Sequence, residues 1–84
     1  MSTREYIDKN IRLIKEFDTY LLDHPELYDD IPNKATVVIT VDDDQEFNAE
    51  SLRIGFLRKA RRPLVEARKS SQSWSIRALT PQAA

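Results

Sequence analysis

The stretch ATVVITV, residues 35–41, decides the fold that the sequence predicts. It is a β-branched run with turn signals on both sides, which is the pattern of a β-strand. Val37, Ile39 and Val41 would share one face of this strand, and the opposite face carries no charge, so both faces can be covered by other elements. We therefore predict a central strand.

A first helix is predicted before this strand. Ser2 and Glu5 have the spacing of a capping box and mark its start. Pro25 predicts that it ends near Leu22 or Asp23, with a short turn after it. The helical spacing of apolar residues predicts a broad buried stripe made of Tyr6, Ile7, Ile11, Leu13, Ile14, Phe17, Tyr20 and Leu21.

A second helix is predicted after the acidic run that follows the strand. It would begin near Asn48, whose side-chain amide can cap it. Leu52, Phe56 and Ala60 lie at helical spacing and would form its buried stripe. The helix would end before Pro63.

Two further runs, residues 63–69 and 74–79, alternate apolar and polar side chains and predict a hairpin. Its polar connection, residues 70–73, lacks the dipeptides that specify a two-residue turn, so we expect a longer loop. The order α-β-α-β-β predicts a small two-layer domain of the α/β (α+β) class, with a three-stranded mixed sheet and two helices on one face. Residues 1–84 would form one domain, with residues 80–84 as a frayed tail.

The sheet face away from the two helices would be left apolar. It would carry Thr36, Val38, Thr40, Leu64 and Leu79, which are together too apolar to remain entirely in water. A symmetric homodimer that buries this face is the predicted arrangement.

Composition excludes several classes of protein. The 84 residues contain no cysteine, hence no disulfide and no thiolate metal site, and one glycine, Gly55, which excludes phosphate-binding loops and dinucleotide fingerprints. No run approaches the roughly 20 apolar residues that span a bilayer, and the charged N-terminus lacks the apolar core of a signal peptide. We therefore expect a cytoplasmic protein with no membrane contact and no cofactor, and a non-enzymatic one rather than an enzyme.

An acidic candidate site lies at the end of the predicted strand. Asp42 and Asp44 stand where open α/β sheets place their ligands. One or two carboxylates with water can hold Mg²⁺, so these residues are predicted metal ligands for phosphoryl-transfer or nuclease-like chemistry. The other interpretation is a solvated turn that caps the next helix and favours its N-terminus electrostatically.

A basic candidate surface lies in the second part of the chain. The net charge of -1 is the sum of -8 over residues 1–50 and +7 over residues 51–84. Cations near the end of the second helix and on the hairpin could follow a phosphate backbone, with a tryptophan stacking on a base. The other interpretation is a helix end and an ordinary exposed sheet face. The candidate contacts, for nucleic acid or a protein partner, are Arg58, Arg61, Arg62, Arg68, Lys69 and Trp74.

Three segments carry a resemblance to a known family: HPELYDDIP at 24–32, VDDDQEFN at 41–48 and PLVEARKSSQSW at 63–74. With the residues between them, they resemble a family of short bacterial and archaeal proteins classed as a domain of unknown function. The resemblance implies a stand-alone cytosolic protein of prokaryotic type and brings no activity with it. The sequence thus favours a non-enzymatic, dimeric protein-interaction module, with the acidic and basic sites as alternatives.

Overall fold

Residues 1–80 are described by a computed structural model. Its elements are helix α1 (Thr3–Asp23), a short 3₁₀ helix (Pro25–Asp30), strand β1 (Thr36–Val41), helix α2 (Gln45–Arg58), strand β2 (Leu64–Ser70) and strand β3 (Ser73–Ala78). β1 and β2 run parallel, and β2 and β3 run antiparallel. The predicted α+β class and three-stranded mixed sheet are confirmed. Across residues 1–80, no helix is both long and apolar enough to cross a membrane.

The central strand is β2, because the order in the sheet is β1-β2-β3. β1 pairs only with β2, from Thr36 opposite Leu64 to Val41 opposite Lys69. The prediction of a central β1 is therefore wrong. A β-branched run indicates that both faces of a strand are covered, and this pattern does not reveal whether another strand lies beside it.

The outer edge of β1 is closed by Asn48 of α2. The Val41 N–H donates to Asn48 Oδ1 at 2.8 Å, and Asn48 Nδ2 donates to the Val41 carbonyl at 2.5 Å. Asn48 thus takes the place of a neighbouring strand at this position. It does not cap α2 as predicted, because α2 begins earlier, at Gln45, with Asp44 as its N-cap.

Helix α1 covers one face of the sheet. It begins with the predicted capping box of Ser2 and Glu5. The core on this face consists of Leu13, Phe17, Leu21, Ile39, Val41, Phe47, Ala67 and Trp74. The predicted stripe is wrong for Ile7, Ile11 and Ile14, which are 47%, 47% and 39% exposed. The helix is rotated so that its leucines and phenylalanine, and not these isoleucines, meet the sheet.

Helix α2 reaches the opposite face of the sheet at Gly55. A Cβ atom at Gly55 would lie 2.3 Å from Val38 Cγ2 and 3.4 Å from Leu64 Cδ1, so the helix backbone approaches the sheet directly. Val38, Thr40 and Leu64 are all buried. The two helices therefore do not share one face, and the prediction that this face is open is wrong at these three positions.

The buried side of α2 consists of Phe47, Asn48, Ser51 and Gly55. It differs from the predicted stripe, since Phe56 is half exposed and Ala60 lies beyond the end of the helix. After Phe47 the buried residues are small or polar, because the helix approaches the sheet closely at Gly55 and leaves no space there for a large side chain.

The hairpin connection is shorter than predicted. β2 and β3 pair as far as Ser70 opposite Ser73 and leave a two-residue turn. Ser71 has a φ of 57°, the positive value that such turns require. Past β3, the Thr80 hydroxyl accepts a hydrogen bond from the Leu64 N–H at 3.0 Å. The rest of the predicted frayed tail, 81–84, lies outside the described residues.

Candidate functional site

The two carboxylates of the predicted metal site each bind a side-chain cation. Arg68 Nε donates to Asp42 at 2.6 Å, and Lys9 Nζ donates to Asp44 at 2.7 Å. Asp44 also accepts the Phe47 N–H at 3.0 Å, which makes it the N-cap of α2. In the described part of the chain, no three metal-ligating side chains cluster. A cation at Asp42 and Asp44 would have to replace Arg68 and Lys9, and metal binding there stays a prediction.

The pKa of Asp44 is lowered, first by the hydrogen bond from the Lys9 ammonium and then by that from the Phe47 N–H. A lowered pKa in the folded protein means that the ionised carboxylate stabilises the fold. This stabilisation is complete above the ordinary pKa of an aspartate, about 3.9. It is lost as the pH falls through the lowered value.

Asp44→Ala is expected to lower the free energy of unfolding by about 1–2 kcal/mol at pH 7, because it removes the N-cap and the partner of Lys9. Below about pH 3 the difference from the wild type should shrink, since the wild-type carboxyl is then increasingly protonated. Urea unfolding of both chains at pH 7 and below about pH 3 measures this difference in the free energy of unfolding. Asp43→Ala is the control, because Asp43 forms no hydrogen bond within residues 1–80. A loss that is equal at both pH values would contradict the expectation.

A buried carboxylate, Glu66, links the three strands on the face opposite α1. Glu66 is 3% exposed. Thr40 Oγ1 of β1 and Arg77 Nη2 of β3 each donate to its carboxylate at 2.8 Å. Arg68 Nη1 of β2 lies 3.5 Å from Glu66 Oε2. Burial of a carboxylate is costly unless it is paired and hydrogen-bonded, and both conditions are met here. The sequence interpretation of an exposed sheet face missed this cluster; the signal was an acid with cations at neighbouring same-face positions.

The predicted contact residues on the hairpin, Arg68, Lys69 and Trp74, interact with other residues of the same chain. Arg68 lies in the cluster around Glu66, and Lys69 Nζ donates to Glu16 of α1 at 2.8 Å. Trp74 is 7% exposed, and its ring centroid lies 5.0 Å from that of Phe17. The tryptophan is therefore part of the core. Contact of Arg68, Lys69 and Trp74 with nucleic acid or a protein partner stays a prediction.

The predicted basic contacts near the end of α2 are free of such pairs. Arg58, Arg61 and Arg62 are exposed. None of them forms an ion pair with another of residues 1–80. Contact of these arginines with nucleic acid or a protein partner stays a prediction.

The match that assigns a family covers residues 5–73, which include α1 from its third residue, β1, α2, β2 and the hairpin turn. These residues match the model of DUF5647, a family of unknown function. The chain belongs to the DUF5647 family. The predicted resemblance to an uncharacterised family is confirmed, while a bacterial or archaeal origin stays a prediction. No curated protein and no solved structure matches the DUF5647 chain.

An exposed apolar stripe on α1 is the surface of the DUF5647 chain that sequence reasoning assigned to the core. Ile7, Ile11 and Ile14 lie on one side of the helix, and we call them the isoleucine stripe. Adjacent apolar residues exposed in this way are typical of an interaction surface. Four charged residues flank the stripe and form no ion pair within residues 1–80: Arg4, Asp8, Lys15 and Asp18.

Proposed function

We propose that the DUF5647 chain is a non-enzymatic interaction module that forms a homodimer through the isoleucine stripe. The observation that carries the proposal is the charge pattern around Ile11. Arg4 lies seven residues before Ile11, and Asp18 lies seven residues after it. Asp8 and Lys15 lie three residues before and four residues after the same centre.

An antiparallel pair of α1 helices, with a two-fold axis at Ile11, would bring opposite charges together. In such an interface, a residue away from the axis contacts a different position of the second copy, and the reverse contact follows by symmetry. Arg4 would then face Asp18 of the second copy, and Asp8 would face Lys15. A parallel pair would instead place Arg4 against Arg4 and Asp18 against Asp18, and like charges repel.

Burial of apolar surface supports the same arrangement. Ile11 would contact Ile11 of the second copy, and Ile7 would pack beside Ile14 on both sides of the axis. Removing apolar surface from water contributes roughly 25 cal/mol per Å². Burial of the isoleucine stripe would thus stabilise the homodimer, and the flanking charges would favour the antiparallel orientation.

A non-enzymatic role is supported by the structural contacts of three carboxylates. Asp44 caps α2 and binds Lys9, and Asp42 binds Arg68. The buried Glu66 is held by hydrogen bonds from its neighbours. These three carboxylates already have structural partners, which argues against acid–base or metal chemistry at them.

Ile11→Glu is expected to dissociate the homodimer, with Kd rising by at least about 100-fold, or about 2.7 kcal/mol. The reason is that two carboxylates would meet at the two-fold axis inside an apolar contact. Sedimentation velocity over a range of concentrations measures the change. Leu57→Glu is the matched control, since Leu57 is 72% exposed on α2, away from the stripe.

A charge exchange tests the antiparallel orientation. Arg4→Asp alone should weaken the homodimer, and Arg4→Asp combined with Asp18→Arg should restore it, because each pair is then rebuilt with the signs reversed. Both side chains are exposed, so the free energy of unfolding of the monomer should change little. A wild-type mass of 9.8 kDa at several hundred micromolar would refute the proposal. So would equal dissociation by Leu57→Glu.

A further inference from the structure

Five cations lie around the N-terminal ends of the two parallel strands. Thr36, at the start of β1, donates its N–H to the Pro63 carbonyl just before β2, at 2.8 Å. This bond brings together the loop before β1 and the loop between α2 and β2. We call these two loops, with the last residue of α2, the basic loops; their cations are Lys34, Arg58, Lys59, Arg61 and Arg62.

The basic loops carry uncompensated charge. None of the five cations forms an ion pair within residues 1–80, and no acidic residue occurs between positions 51 and 65. The remaining cations of the C-terminal part are all paired with carboxylates: Arg53, Arg68, Lys69 and Arg77. Positive charge is therefore concentrated at one end of the molecule, and no carboxylate among residues 1–80 pairs with it there.

The turn that presents these cations has a defined backbone. The Arg62 N–H donates to the Lys59 carbonyl at 2.8 Å, and Ala60 has a φ of 53°. Pro63 follows and restricts the chain further. A site whose backbone is already ordered loses less entropy when a ligand binds.

An exposed aromatic ring adjoins the basic loops. Phe56 is 50% exposed in the last turn of α2 and lies three residues before Lys59. Residues three apart on a helix are neighbours on its surface. A ring beside a row of cations matches the requirements of a strand of nucleotides, whose bases stack on aromatic side chains while the phosphates contact cations.

We infer that the basic loops and Phe56 bind single-stranded nucleic acid. The arginines suit phosphate, because the planar guanidinium can donate two parallel hydrogen bonds to its oxygens. A duplex is disfavoured, since it hides the base faces that Phe56 would contact. The inference is independent of the homodimer, because it uses no residue of the isoleucine stripe.

Two other anionic partners fit the surface less well. An acidic protein segment would bind the arginines but would offer no base to Phe56. An anionic bilayer would require a continuous apolar side along the helix. The exposed large apolar side chains near the basic loops are Phe56 and Leu57 on α2 and Val37 on β1, which do not form one side of a helix, and α2 also carries Glu46 and Glu50.

The test is fluorescence anisotropy with a labelled oligo(dT) and with a duplex of the same length, using the full chain. At about 50 mM salt the single strand should bind, and more tightly than the duplex. Log K should fall with log salt at a slope of about -2 to -3 if three or four phosphates are contacted. Repeating the titration with the Ile11→Glu chain separates this activity from dimer formation.

Matched variants locate the site. Arg61→Gln combined with Arg62→Gln should weaken binding at least tenfold and reduce the salt slope, whereas Arg12→Gln, an exposed cation on α1, should change it little. Phe56→Leu should weaken binding about 5- to 150-fold, because it keeps an apolar side chain and removes the stacking face. Leu57→Ala is its control and should have no comparable effect.

Several results would overturn the inference. One is the absence of binding at low salt, and another is binding that the arginine variants leave unchanged. If Phe56→Leu has no effect and poly-glutamate competes as well as oligo(dT), the surface recognises acidic protein. If anionic lipid vesicles bind more tightly than oligo(dT), with equal losses in Phe56→Leu and Leu57→Ala, the surface recognises a bilayer.

Discussion

Asn48→Ala is expected to lower the free energy of unfolding by about 2–4 kcal/mol, because one deletion leaves two buried backbone groups without partners. The Asn48 side chain accepts from the Val41 N–H and donates to the Val41 carbonyl, and Asn48 is 8% exposed. Alanine is too short to replace either bond, and α2 keeps water from doing so. A domain of this size has a total stability of roughly 4–13 kcal/mol, so the loss is a large share.

Urea unfolding followed by circular dichroism measures this change. Asn33→Ala is the matched control, since Asn33 is an exposed loop residue whose side chain forms no hydrogen bond within residues 1–80. If the free energy of unfolding of Asn48→Ala lies within about 0.5 kcal/mol of the wild-type value, as for a typical surface substitution, the edge contact does not hold α2 against β1.

Gly55→Ala is expected to destabilise the protein by about 1–3 kcal/mol, as overpacking in a well-filled core does. In an ordinary helix interior the same change would stabilise by about 1 kcal/mol. Here the new Cβ would lie 2.3 Å from Val38 Cγ2, and valine has a short, stiff side chain that cannot swing away. The sign of the effect therefore distinguishes close contact from loose packing.

A second substitution tests the cause. Val38→Ala alone should destabilise by leaving a cavity. Combined with Gly55→Ala, it removes the methyl group that the new Cβ would meet, so the double variant should be more stable than the sum of the single losses predicts. A double-mutant cycle from urea unfolding gives this coupling. A stabilised Gly55→Ala chain would show that the helix and the sheet are not in contact.

The elements of this fold could be predicted because each has a local signal. The capping box of Ser2 and Glu5 starts α1, and α1 ends at Asp23, just before Pro25. The β-branched run gives β1, and alternation gives the hairpin. Such signals depend only on residues close together in the chain.

The packing could not be predicted, because two apolar stripes compete on α1. Ile7, Ile11 and Ile14 are as hydrophobic as the stripe of Leu13 and Phe17, and one sheet face can bury only one of them. On α2 the buried residues include Asn48, whose position is set by its contact with a strand edge. A pattern of apolar spacing does not detect that kind of burial.

The candidate sites were predictable only in part. The capping role of the acidic turn was one of the two interpretations of Asp44, and the structure shows that contact. Glu66 was missed because a charge on a strand indicates exposure unless its partners on other strands are known. Whether Arg61 is paired or unpaired depends on which residues the fold brings near it, and no local pattern contains that information.

The Glu66 cluster has a consequence for how the hairpin avoids misfolding. If β3 slipped by one residue along β2, Arg77 would turn toward the apolar core, and Ile76 or Ala78 would stand opposite Glu66. Such a shift removes the Arg77 hydrogen bond from the buried Glu66 carboxylate and places a guanidinium in apolar surroundings, and both changes are costly. The turn at Ser71 contains no glycine or asparagine to impose one alignment. Glu66 thus favours the observed register of β3 on β2, which the turn sequence does not specify.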